Sequence, residues 1–64
     1  MNIHDYIAKA IDLLRSDQRI HASSMAIANM VDVLSQGQFG GFDVRRELKR
    51  PRYEFGPGGW RVAQ

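Results

Sequence analysis

Cysteine is missing from this 64-residue chain, which excludes disulfide staples and thiolate metal ligation and fits a reducing compartment. Histidine is scarce. His4 and His21 are the only two, a helical stretch lies between them, and neither has a second histidine at ligand spacing. No metal centre and no cofactor are therefore expected. Long apolar runs are lacking as well: nothing approaches the roughly 20 residues that span a bilayer. Met1-Asn2-Ile3-His4-Asp5 has neither the basic flank nor the apolar stretch of a secretory signal. The expectation is a cytoplasmic protein with no membrane partner. The glycine run Gly56-Pro57-Gly58-Gly59 does not precede a helical pattern, so it is not a phosphate-binding loop. His4 lies next to Asp5 in sequence, but on a helix the two point to different faces, which suits a solvated helix-end histidine better than a catalytic one. We expect no enzyme.

What is present suits one small domain over residues 1 to 64. Hydrophobic residues make up 44% and charged residues 25%, ordinary values for a folded chain. A chain this short buries only about 60% of its unfolded surface, so a partner or a homodimer would add welcome burial. Charge is uneven along it. Residues 1 to 39 carry three cations against four anions, whereas residues 40 to 64 carry six cations against three anions, for a net of +3. Five of those cations fall within the eight positions from Arg45 to Arg52. Such a cluster is either the solvated face of an ordinary element or an electrostatic footprint for a polyanion.

Periodicity organises the first half. Ile3, Tyr6, Ile7, Ala10, Ile11 and Leu14 recur at three- and four-residue steps, predicting an amphipathic helix over 3 to 15 with Asn2 as its cap. Ser16-Asp17-Gln18 reads as a turn, and Arg19-Ile20-His21 as a short, extended link. Ser23 or Ser24 can cap a second helix over 24 to 36, with Ile27, Met30, Val31 and Leu34 as its stripe and Met25 and Val33 widening it. Methionines at this spacing are core filler more often than a binding stripe. Gly37 is placed to end that helix in a left-handed turn.

Residues 43 to 50 admit two readings. As a helix they have Asp43 as cap, Val44 and Leu48 on one face, Arg45 and Lys49 on another, and Pro51 as the stop. As a strand they place an arginine among apolar residues, so the helix fits better. Beyond them, residues 52 to 55 and 60 to 63 alternate around the breaker-rich 56 to 59, a hairpin whose aromatic face, Tyr53, Phe55, Trp60 and Val62, needs helices to pack on. The fold class is α+β: two amphipathic helices, a short basic helix and a C-terminal β-hairpin. The alternative is two helices on a three-stranded antiparallel sheet.

This element order resembles a winged helix-turn-helix domain. Gly58-Gly59-Trp60-Arg61-Val62 is similar to the glycine, aromatic, arginine, valine run that closes the wing of response-regulator type winged helices, and Val44-Arg45-Arg46-Glu47-Leu48-Lys49-Arg50 to the rhythm of a recognition helix. The resemblance implies a small DNA-binding regulator of transcription or an architectural factor. Arg45, Arg46, Lys49 and Arg50 on the helix, and Arg52 and Arg61 on the wing, would meet the phosphates of duplex DNA. Two departures stand out. The link from Gly37 to Phe42 exceeds the usual three or four residues, and the basic helix has no Asn, Gln, Ser or Thr, which argues against sequence-specific reading. A second class of function is a compact inhibitor or adaptor that binds a host protein through Tyr53, Phe55, Trp60 and adjacent arginines, the residue types that dominate protein interfaces.

Overall fold

The computed structural model describes residues 1–63. Helix α1 (Ile3–Arg15) starts at Asn2, whose side chain accepts the Asp5 N–H at 3.0 Å while the Asp5 carboxylate accepts the Asn2 N–H at 3.3 Å. This reciprocal pair satisfies two amides that have no partner within the helix. Ile7, Ala10, Ile11 and Leu14 form its buried face.

Helix α2 (Ser24–Leu34) is capped by Ser23, whose hydroxyl accepts the Ala26 N–H at 3.1 Å. It stops two residues short of the expected Gln36, because Gln36 (φ 55°) and Gly37 (φ 82°) both take left-handed conformations. Only the Ile27, Ala28 and Val31 face is fully buried. Met25 and Val33 point away from it and are 66% and 73% exposed, so they do not widen the core stripe.

Helix α3 (Gly41–Leu48) settles the ambiguous segment as a helix and removes the three-stranded alternative. Asp43 is not its cap. Gly40 occupies that position, and the Asp43 carboxylate, one turn in, accepts the Gly40 N–H at 3.3 Å. Val44 and Leu48 are buried, and Gly41 sits against the small Ala28 of α2, where an added Cβ would still be 3.7 Å from the alanine methyl.

Strands β1 (Tyr53–Gly56) and β2 (Gly59–Val62) pair antiparallel, with Tyr53 opposite Val62 and Phe55 opposite Trp60. Each strand is displaced by one residue toward the turn from its expected place. The reversal needs only Pro57 and Gly58: proline fixes its own φ, and Gly58 at φ 84° takes a left-handed corner that glycine adopts without penalty. The hairpin lies along α1, with Tyr53 beside His4 at one end and the turn beside Arg15 at the other. Arg15 Nη1 donates to the carbonyls of Pro57 (3.4 Å) and Trp60 (3.5 Å).

The link between α1 and α2 adds one more pairing. Turns carry the chain from Ser16 to Ile20, and Ala22 then forms a single parallel bridge to Gly59. The Ala22 N–H donates to Gly58 (3.0 Å) and its carbonyl accepts from Trp60 (2.9 Å). β2 is thus bounded by β1 on one edge and by Ala22 on the other. Ile7, Ile27, Val31 and Val44 are fully buried where the three helices meet. Among the described residues no helix is long and apolar enough to cross a membrane. This order of elements is compatible with a winged-helix-like fold.

Candidate nucleic-acid interface

With Val44 and Leu48 turned into the core, the helical repeat sends the other long side chains of α3 outward. Phe42, Arg45 and Arg46 are exposed on it, as are Lys49 at its C-cap and Arg50 just beyond, so Arg50 lies outside the helix in which the sequence pattern placed it. Phe42, Arg45, Arg46 and Lys49 follow one another at spacings of three and four, which places them on one solvent face. Arg52 follows in the connection to β1, also exposed.

The six cations are not equivalent. Arg46 is held by Asp43 at 3.3 Å, Arg50 by Glu47 at 2.9 Å, and Arg61 by its cross-strand partner Glu54 at 3.1 Å. Among the described residues, Arg45, Lys49 and Arg52 pair with no carboxylate. Asp43, Arg46, Glu47 and Arg50 also line a shallow groove against Ile3 and Phe39, so the charge on that flank is locally compensated. The uncompensated charge lies on the Arg45 and Lys49 side and at Arg52. Surface pairs of this kind contribute only about 0 to 1 kcal/mol, so phosphate can compete for the paired arginines. Each one drawn away leaves a carboxylate behind.

The hairpin divides by face. Arg52, Glu54 and Arg61 lie outward, and the turn itself bears no cation, although Arg15 of α1 lies against it. On the inner face the three expected aromatic residues have different surroundings. Tyr53 is 5% exposed and its hydroxyl hydrogen-bonds His4 Nδ1 at 2.5 Å; burial, assisted by the charge of Glu47, pushes its pKa up to about 12. It is a core group. Trp60 is half-buried, and its indole N–H donates to Ser24 Oγ at 3.0 Å. Phe55 is 63% exposed and stands edge-on to Trp60 (5.3 Å between centroids) and to His21 (6.0 Å). The hairpin's aromatic face therefore packs on the helices at Tyr53 and opens to solvent at Phe55.

Sequence reasoning passed over three residues that shape this surface. Arg15 ties the turn to α1, His21 joins the aromatic edge, and Phe42 stands among the cations of α3. Only Phe42 had a readable signal, its position three and four residues before Arg45 and Arg46. No protein-family model, no curated protein and no solved structure matches this chain.

Proposed function

We propose that this chain is a small DNA-binding protein, a regulator or an architectural factor, that lays α3 in the major groove of a duplex and sets Arg52 on the flanking backbone. The observation that carries the reading is the trio of exposed cations with no carboxylate partner among the described residues, Arg45 on α3, Lys49 at its C-cap and Arg52 in the connection to β1, beside a helix whose opposite face is locked into the core by Val44 and Leu48. A rigid cationic ridge suits a phosphate lattice because each neutralised phosphate releases condensed counterion, a gain that requires no particular base. The order helix, single bridge, helix, helix, hairpin supports the winged-helix-like version of this reading. Arg46, Arg50 and Arg61 join as secondary contacts, since each must first leave its carboxylate. The role is one of binding rather than catalysis.

Fluorescence anisotropy with a labelled mixed-sequence duplex tests the proposal. Binding should be evident at about 50 mM salt, where counterion release is most favourable, and its absence there would overturn the reading. A second reading has its own support in the open aromatic edge of Phe55, Trp60 and His21, whose residue types suit a protein partner. That interface would respond weakly to salt and strongly to Phe55→Ala.

A further inference from the structure

We propose that Phe42 reads the C5-methyl groups of thymine in the major groove, giving this chain a preference for thymine-containing sites. The inference rests on the DNA-binding reading above and adds to it the chemistry of the bases contacted.

Two phenylalanines flank the Gly40 cap of α3. Phe39, just before it, is half-buried and packs on the ring of Tyr6 at 5.8 Å between centroids. Phe42, two residues after it, is 77% exposed and is not among the residues packed against the core. Its one notable contact is the Arg46 guanidinium, 5.7 Å from the ring centroid. The core makes no use of this ring, although an apolar group of this size left in water forgoes the gain of burial.

The surroundings of the ring define what could cover it. Arg45, Arg46 and Lys49 share its solvent face, so the ligand must combine negative charge with a small apolar spot. Duplex DNA offers both: phosphates along the groove edges, and in the groove floor the thymine methyl, the one apolar group there that marks a base. Phe42 lies in the first turn of α3, the end at which recognition helices contact base edges. Gly40 and Gly41 carry no side chain that could shield the ring, and a Cβ added at Gly40 would meet nothing within 4 Å. Arg46, on one side of the ring, donates to Asp43 at 3.3 Å. Methyl recognition also needs no hydrogen-bond donor. It therefore works on a helix without Asn, Gln, Ser or Thr, the lack of which argues against base reading by hydrogen bonds.

The test uses two duplexes of the same thymine-rich sequence, one with every thymine replaced by uracil, which removes only the methyl groups. Wild-type protein should bind the uracil duplex more weakly by about fourfold for each methyl contacted. Phe42→Ala should bind both duplexes equally, at the wild-type affinity for uracil, and should melt like wild type because the ring is exposed. If wild type binds both duplexes alike, or if Phe42→Ala loses the same factor on both, the methyl reading is overturned while the DNA-binding reading stands. If neither duplex binds, both are overturned.

Discussion

Gly59→Ala should destabilise the protein more than any other glycine replacement in the hairpin. Gly59 has φ 102°, and a Cβ there would lie 2.3 Å from the carbonyl oxygen of Ala22 and 2.5 Å from its carbon. Those atoms are backbone, so no rotamer change relieves the clash and Ala22 must move off β2. The bridge then loses the bonds from Ala22 to Gly58 and from Trp60 to Ala22, at about 1 kcal/mol each. The forbidden φ adds about 1 to 2 kcal/mol, for about 3 to 4 kcal/mol in all. A domain of this size has only about 3 to 10 kcal/mol of stability. At about 4 to 8 °C per kcal/mol for a small domain, the melting temperature should fall by about 12 to 30 °C. Thermal melts followed by far-ultraviolet circular dichroism would measure it. Gly56→Ala is the control: nothing lies within 4 Å of its added Cβ and its φ is not left-handed, so it should be neutral or stabilise by up to about 1 kcal/mol. A Gly59→Ala protein that melts within about 3 °C of wild type, less than 1 kcal/mol implies, would refute the reasoning.

Two further outcomes follow from the inner face of the hairpin. Tyr53 holds its proton more tightly when folded, with its pKa raised from 10.0 to about 12; stability should therefore be intact below about pH 9 and fall as pH rises between 10 and 12. Ultraviolet difference titration of a Tyr6→Phe variant, which leaves Tyr53 as the one tyrosine, alongside urea melts would register both, and Tyr53 titrating near 10 in the folded protein would contradict its burial. Trp60→Ala should cost about 2 kcal/mol, below the 3 to 5 kcal/mol of a fully buried aromatic, because the ring is half-exposed. Trp60→Phe should cost about 1 kcal/mol for the lost bond to Ser24, and a urea melt indistinguishable from wild type for both variants would show that the ring contributes no packing.

Much of this fold was legible because its signals are local. The three- and four-residue spacing of Ile7, Ile11 and Leu14, the caps at Asn2 and Ser23, and the breaker pair Pro57-Gly58 at the centre of 56 to 59 each act within a few residues, and each has its expected role. Misplaced boundaries arose where a choice depended on backbone conformation alone, as at Gln36, which turns left-handed and ends α2 early. Contacts between distant residues were beyond pattern reading. The bridge from Ala22 to Gly59 and the bonds from Arg15 to the turn join positions 37 to 45 apart, and nothing in local spacing announces them. The candidate interface was legible as composition but not as electrostatics. Six basic residues could be counted, whereas only side-chain geometry separates Arg45, Lys49 and Arg52 from the three arginines held by carboxylates.

The salt dependence of duplex binding tests the central claim most directly. With Arg45, Lys49 and Arg52 as the cations of this surface that no carboxylate holds among the described residues, the plot of log affinity against log salt should have a slope near −3, from about −0.9 per phosphate neutralised. Arg45→Ala, Lys49→Ala and Arg52→Ala should each make it shallower by about one unit on any sequence, whereas Arg61→Ala, which removes a paired charge, should change it less. A flat salt response, with binding lost on Phe55→Ala but retained in all three cation variants, would contradict the account and transfer the functional surface to the aromatic edge.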